Sequence, residues 1–157
     1  MSNNPVTSIS TIYNVALVTV DNLPNDMMLI SNIFSKIANE KINIDMISQA
    51  PAYKGKINIS FSLPTENIVT VISLLNSFKS QIPNLRIEID SDNSKITVFG
   101  EAMKSIPGVA AQLFTLLAVN EIEVKLITTS EVEISYLVFE RDIDKAILAI
   151  KQEFKIS

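Results

Sequence analysis

Two stretches of the chain decide its fold: Leu29-Ile30-Ser31-Asn32-Ile33-Phe34-Ser35-Lys36-Ile37 and Val109-Ala110-Ala111-Gln112-Leu113-Phe114-Thr115-Leu116-Leu117. In the first, Leu29, Ile30, Ile33, Phe34 and Ile37 are apolar. In the second, Val109, Ala110, Leu113, Phe114 and Leu117 hold the matching places, each at the same offset (114 − 34 = 80). Steps of one, three, one and three residues set five side chains on one face of a helix. Each stretch therefore predicts an amphipathic helix, and the pair predicts a duplication.

The repeat extends on both sides. After each helix comes an alternating run, Ile42, Ile44 and Met46 in the first copy and Ile122, Val124 and Leu126 in the second; period two predicts a strand with one buried face. A second strand follows, with Ile57, Ile59, Phe61 and Leu63 matching Val132, Ile134, Tyr136 and Val138. Here the offset falls (136 − 61 = 75), because residues 50–56 form a longer loop than the turn Thr129-Ser130-Glu131. A closing helix places Ile68, Val71, Ile72 and Leu75 against Ile143, Ala146, Ile147 and Ile150, with Thr65 and Asp142 as expected N-caps. A strand precedes each first helix, at residues 15–20 and 96–100.

The first copy gains a fourth strand at residues 86–89, which completes the ferredoxin-like order βαββαβ. The second copy has only residues 155–157 left after its last helix, whereas residues 6–12 form a surplus strand ahead of the first. An unfilled sheet edge is an aggregation liability, so the surplus strand is expected to fill it. The expected architecture is α+β: two modules with antiparallel sheets and helices on one face, the first (residues 14–91) inserted into the second (residues 5–13 plus 94–157).

Composition narrows the function. Hydrophobic residues make up 47% of the 157, ample for two small cores, yet no apolar run approaches the roughly 20 residues that span a membrane. The first residues show no secretion signal. A net charge of −4 argues against nucleic acid as a partner. There is no Cys, hence no thiolate nucleophile or Cys-ligated zinc, and no His, the commonest general base and metal ligand. A binding or regulatory role in the cytoplasm is expected rather than catalysis, with no metal and no cofactor.

Two segments carry chemistry. In Met103-Lys104-Ser105-Ile106-Pro107-Gly108-Val109-Ala110, Pro107 suits the first helical position and Gly108 permits close approach. The free N–H groups of that turn favour an anion such as an α-carboxylate, although the same residues also serve as a plain helix start. In Leu126-Ile127-Thr128-Thr129-Ser130-Glu131-Val132, three hydroxyls and a carboxylate interrupt two apolar strands. They offer donors and an acceptor to an ammonium group, or simply make a polar hairpin turn.

Together these residues resemble a known family. Ser-x-Pro-Gly-Val-Ala-Ala at 105–111 and Leu-Ile-Thr-Thr-Ser-Glu-Val at 126–132 resemble the second ACT domain of aspartate kinases. Ile42-Asn43-Ile44-Asp45-Met46-Ile47-Ser48-Gln49 and Ile57-Asn58-Ile59-Ser60-Phe61-Ser62-Leu63-Pro64 resemble the first ACT domain. Val6-Thr7-Ser8-Ile9 resembles the strand that leads out of the kinase domain. The resemblance implies a regulatory pair of ACT domains that binds an end-product amino acid, lysine or threonine, and inhibits phosphorylation of aspartate. It implies a homodimer through the ACT domains, with a kinase domain or catalytic subunit as partner. No Lys-Phe-Gly-Gly-like start or nucleotide-binding glycine loop occurs in the chain. A free-standing ACT sensor or adaptor that regulates another enzyme is the alternative.

The resemblance also implies two effector half-sites. One comprises the turn Asn25, Asp26, Met27, Met28, Leu29 and Ile30 with Asn43, Ile44, Asp45 and Gln49. The other comprises Val109 and Ala110 with Glu123, Val124, Ser130 and Glu131. Backbone groups of the turns would hold the α-amino and α-carboxyl groups, and Asp45, Gln49 and Glu131 would read side-chain polarity. Departures from the family matter here. Met27-Met28 stand in place of Pro-Gly, and if a positive φ is needed there a non-glycine residue costs roughly 1–2 kcal/mol. Glu123 replaces an Asn and Lys125 an acidic residue, so Lys125 is expected to pair with Glu123 or Glu131.

Overall fold

A computed structural model describes residues 4–157. Its elements are β1 (Ser8–Pro24), α1 (Met27–Asn39), β2 (Ile47–Gln49), β3 (Lys56–Pro64), α2 (Ile68–Asn76), β4 (Arg86–Phe99), α3 (Val109–Val119), β5 (Leu126–Thr129), β6 (Glu133–Phe139) and α4 (Ile143–Phe154). They form two compact units. One is Asn14–Asp92, the contiguous module; the other joins Asn93–Ser157 to the residues up to Tyr13, the split module. The surplus strand and residues 15–20 belong to one strand, β1, and residues 86–89 and 96–99 likewise belong to β4. Asn14 and Asp92, at the limits of the contiguous module, have φ of 56° and 63°, a left-handed conformation that Asn and Asp tolerate better than most residues.

In the contiguous module the strand order is β2-β3-β1-β4, and β3 pairs antiparallel with both β1 and β2. Alternate residues of the strands, among them Val18, Val20, Ile59 and Phe61, point into one core with Ile30, Ile33 and Ile37 of α1 and Val71 and Leu75 of α2. Phe34 meets Phe61 edge-on at 5.3 Å. The split module repeats the plan with the order β1-β4-β6-β5. Ile96, Val98, Ile134, Tyr136 and Val138 pack against Val109, Leu113 and Leu117 of α3 and Ala146 and Ile150 of α4. Phe114 meets Tyr136 edge-on at 6.0 Å, the counterpart of Phe34 and Phe61.

The alternating runs differ from expectation in one respect. Burial alternates from Ile42 to Met46, but the β2 ladder begins only at Ile47 and the β5 ladder at Leu126. A bulge is the reason. The Asp45 N–H donates to the Ser62 carbonyl (3.1 Å), the Met46 N–H to the Ser62 hydroxyl (3.0 Å), and the Ser62 N–H to the Met46 carbonyl (2.9 Å). Two residues thus face one, and the Ser62 side chain satisfies the extra donor. In the split module Lys125 donates to the Leu137 carbonyl (2.8 Å) while Leu126 is the ladder partner of Leu137.

The capping expectations are also corrected. Thr65 opens a 3-10 turn, Thr65–Asn67, and Asn67 is the N-cap of α2. Asp142 is the N-cap of α4 but its side chain makes no capping bond. In both, a backbone carbonyl of the 3-10 turn, Thr65 or Glu140, already accepts the following N–H, so no side chain is required. Pro107 lies outside α3, because Gly108 turns the corner as N-cap with φ 86°.

Helices α1 and α3 end alike, each followed two residues on by a left-handed non-glycine residue, Lys41 (φ 60°) and Glu121 (φ 56°). Glycine is favoured at that position because it has no Cβ to strain. Lys41→Gly and Glu121→Gly should each stabilise the protein by about 0.5–1 kcal/mol, the relieved strain exceeding the added flexibility of the unfolded chain. Urea unfolding checks this; a lowered midpoint in both variants contradicts it.

Candidate functional site

The first candidate region is the turn into α1. Asp26 is extended (φ −133°), and its carboxylate accepts from the N–H groups of Met28 (3.0 Å) and Leu29 (3.4 Å). The Asn25 N–H donates to the Gly55 carbonyl (3.1 Å), which ties the turn to the 50–56 loop. Met27 and Met28 are helical and 67% and 70% exposed. Neither has a positive φ, so the strain tied to their replacing Pro-Gly does not arise. Leu29 is half-buried, and Ile30 is a core residue whose N–H donates to the Asp26 carbonyl (3.1 Å), so Ile30 offers neither side chain nor N–H to a ligand.

The strand half of this region is dispersed. Asn43 and Asp45 are exposed and Ile44 packs on the core. Gln49 is exposed at the end of β2, opposite Ile59. Pro24 lies opposite Lys56 and Asp45 bonds to Ser62, six residues further along β3. At about 3.3 Å per residue the α1 turn and Asp45 are some 20 Å apart along the sheet, with Gln49 midway. One copy of the module therefore does not gather these residues into a single pocket.

In the split module the turn into α3 is differently made. Gly108, left-handed, is the N-cap, and no side chain caps the helix. Val109 is buried and Ala110 exposed. The N–H groups of this first turn meet no capping side chain, whereas those of α1 hold the Asp26 carboxylate. The turn after β5 lies at the same end of the sheet. Phe99 pairs with Glu133, and the Gly100 N–H donates to the Val132 carbonyl (2.9 Å). The Ser130 hydroxyl accepts from the N–H groups of Val132 (3.3 Å) and Glu133 (3.2 Å), so it shapes the turn, while Glu131 is exposed at the tip. Glu123 (exposed) and Val124 (packed on the core) precede β5 at the other end. The Lys125 ammonium sits 3.4 Å above the Phe139 ring, which gives its charge an aromatic partner that the sequence reading did not foresee.

What the split module offers is chemically simple: backbone donors at a helix N-terminus and, on the turn after β5, an exposed carboxylate. An anionic group suits the first and a cationic group the second. Among the described residues no group of three or more His, Cys, Asp or Glu could hold a metal ion, and no helix is long and apolar enough to cross a membrane.

One residue of structural weight escaped the sequence reading. Gly100 follows β4, and a Cβ built on it would stand 1.7 Å from the Pro5 carbonyl oxygen. The N-terminal segment passes directly over it, with Val6 fully buried next along the chain. The signal was present in the duplication, where the matching residue (100 − 80 = 20) is Val20.

Comparison with known proteins gives a consistent answer. Residues 96–154 match the ACT domain family. The aspartokinase of Bacillus sp. (strain MGA3) is 36% identical over 143 residues, which cover 91% of this chain and 35% of that protein. Among solved structures, a chain in the crystal structure of aspartokinase alpha and beta subunits superposes with a TM-score of 0.85 at 29% identity, covering 96% of this chain and 99% of that one. Aspartate kinase from Synechocystis superposes with a TM-score of 0.91 at 25% identity, covering 99% of this chain and 28% of that one. The chain spans about a third of the length of the curated relatives it matches.

Proposed function

We propose that the chain is an amino-acid-sensing regulatory unit of an aspartate kinase, since residues 96–154 match the ACT domain family and the chain aligns along nearly its whole length with aspartokinases and their regulatory subunits. In this reading lysine or threonine binds the ACT modules, the modules pair as a homodimer, and occupancy lowers the rate at which a kinase domain or catalytic subunit phosphorylates aspartate. The physics is linkage: a ligand that bridges two modules favours the arrangement in which its contacts are complete. The coupling to a distant active site is on the order of 1–3 kcal/mol.

The observation that carries this reading is the end of the split module where the Gly100 N–H, at the end of β4, donates to the Val132 carbonyl of the Ser130-Glu131 turn, and where the chain goes on into the uncapped first turn of α3. The N–H groups about Val109 and Ala110 would take the effector's α-carboxylate, and Glu131 its ammonium group. Glu123 and Val124 would border a ligand shared with a second module, as would Asn43, Ile44, Asp45 and Gln49 from the contiguous module, with Asp45 and Gln49 reading the side chain. The turn Asn25–Ile30 would contribute backbone and the exposed Met27 and Met28, its leading donors being held by Asp26.

Calorimetry with the twenty amino acids, beside a sizing measurement with and without the best ligand, tests the proposal. Lysine or threonine should bind, and Glu131→Gln should weaken binding about tenfold, the loss of one charge-assisted hydrogen bond. A folded chain that takes up neither amino acid removes the proposal.

A further inference from the structure

The duplicated modules differ most at one place. The contiguous module carries the 50–56 loop, which its counterpart lacks, and opposite this loop β1 bulges. The β1–β3 register passes from Val20–Ile59 to Leu23–Ile57, so Asp21 and Asn22 together face Asn58. Asn22 is left-handed (φ 62°) and its amide donates to the Asn84 carbonyl (3.1 Å). Between bulge and loop lies a cavity of about 400 Å³, lined by Asp21, Asn22, Tyr53, Lys54, Lys56 and Asn58 among others.

Its walls are well defined. Tyr53 and Lys56 exchange both backbone hydrogen bonds (2.8 and 3.0 Å), and Lys54 (φ 51°) and Gly55 (φ 75°) both have positive φ. That is a tight type I′ hairpin, a stiff mount for the lysines on either side of Gly55. The charges do not balance. The Asp21 carboxylate is taken by the Arg86 guanidinium, by its neighbour Asn22 N–H (2.9 Å) and by the Asn58 amide (3.4 Å). Lys54 lies 5.4 Å over the Tyr53 ring, and neither Lys54 nor Lys56 meets a carboxylate among the described residues. In a chain of net charge −4 this is a cavity with two uncompensated cations. Asn58 alternates with the buried Ile57 and Ile59, so it stands on the sheet face away from α1 and α2, while the hairpin itself is joined to the α1 turn by the Asn25–Gly55 bond (3.1 Å).

We infer that the cavity between the Tyr53–Lys56 hairpin and the Asp21–Asn22 bulge is a second ligand site, one that takes a small dianion, phosphate or dicarboxylate, on Lys54 and Lys56. The inference goes beyond the amino-acid reading and does not depend on it. Backbone amide NMR of the full chain at constant ionic strength, titrated in parallel with inorganic phosphate, succinate and chloride, tests it. Phosphate or succinate should shift the Lys54, Gly55, Lys56 and Asn58 amides saturably, and whichever binds more tightly identifies the source; chloride should not shift them. Lys54→Asn with Lys56→Gln should weaken that binding at least tenfold. Asn-Gly is the preferred type I′ pair, so this variant keeps the hairpin, and an unchanged or higher melting temperature assigns the loss to charge. Equal shifts with chloride, shifts confined to other residues, or unaltered affinity in the double variant each overturn the inference.

Discussion

Replacing Gly100 by alanine will destabilise the split module by about 2.5–4 kcal/mol. Backbone strain is not the cause, because Gly100 is extended at φ −171°. The cause is space: a methyl group would stand 1.7 Å from the Pro5 carbonyl oxygen and 2.6 Å from its carbon, both main-chain atoms that no rotamer change can clear. The N-terminal segment must lift. With it goes the burial of Val6, worth about 1.5–3 kcal/mol, and the bond from the Thr7 N–H to the Phe99 carbonyl (2.8 Å), worth about 1 kcal/mol. Urea unfolding will read the loss, and amide hydrogen exchange will locate it, because Thr7 should exchange much faster in the variant. A protected Thr7 amide and an unmoved midpoint would show that the segment does not seat there.

The second large effect is alkaline. The Tyr136 hydroxyl is buried in the split module's core with no hydrogen-bond partner among the described residues, and burial pushes its pKa from 10.0 up to about 12. Above pH 10 the unfolded chain releases this proton while the folded chain keeps it, so folding binds protons and stability falls as pH rises from 10 to 12. About two pKa units correspond to some 2–3 kcal/mol lost across that window. Tyr136→Phe should abolish this loss and, by removing an unpartnered buried hydroxyl, raise stability at neutral pH by about 1 kcal/mol. The duplicate already holds this solution, since Phe61 occupies the equivalent place. Urea unfolding of both proteins between pH 8 and pH 11.5 checks the effect; parallel curves count against it.

Much of the fold was legible because burial writes itself into spacing. The helical stripes at Leu29 to Ile37 and Val109 to Leu117, and the alternation at Ile57 to Leu63, follow from which side chains must leave water. What was not legible was set by hydrogen bonds that leave no period. The bulge at Asp45-Met46 depends on a hydroxyl sixteen residues on, at Ser62. The cap expected at Thr65 moved to Asn67, and Asp142 caps α4 by position without a side-chain bond, because in both places the carbonyl of a 3-10 turn does that task. Where the candidate residues lie relative to one another was not legible. Each module sets its turn and its strand residues at different ends of the sheet, as with the α1 turn and Asp45. Gly100 was visible as a letter, but its reason lies in a segment ninety-five residues upstream (100 − 5 = 95).

That the split module takes its first strand from before Asn14 and the rest from after Asp92 fixes an order of assembly. On the ribosome the intervening seventy-nine residues (92 − 14 + 1 = 79) can collapse as soon as they emerge, while the leading strand stays unpaired until Phe99 and Gly100 arrive. Contacts of such long sequence separation form slowly. Nascent chains on one polysome, each trailing an unmatched leading strand, are therefore exposed to exchanging those strands with one another.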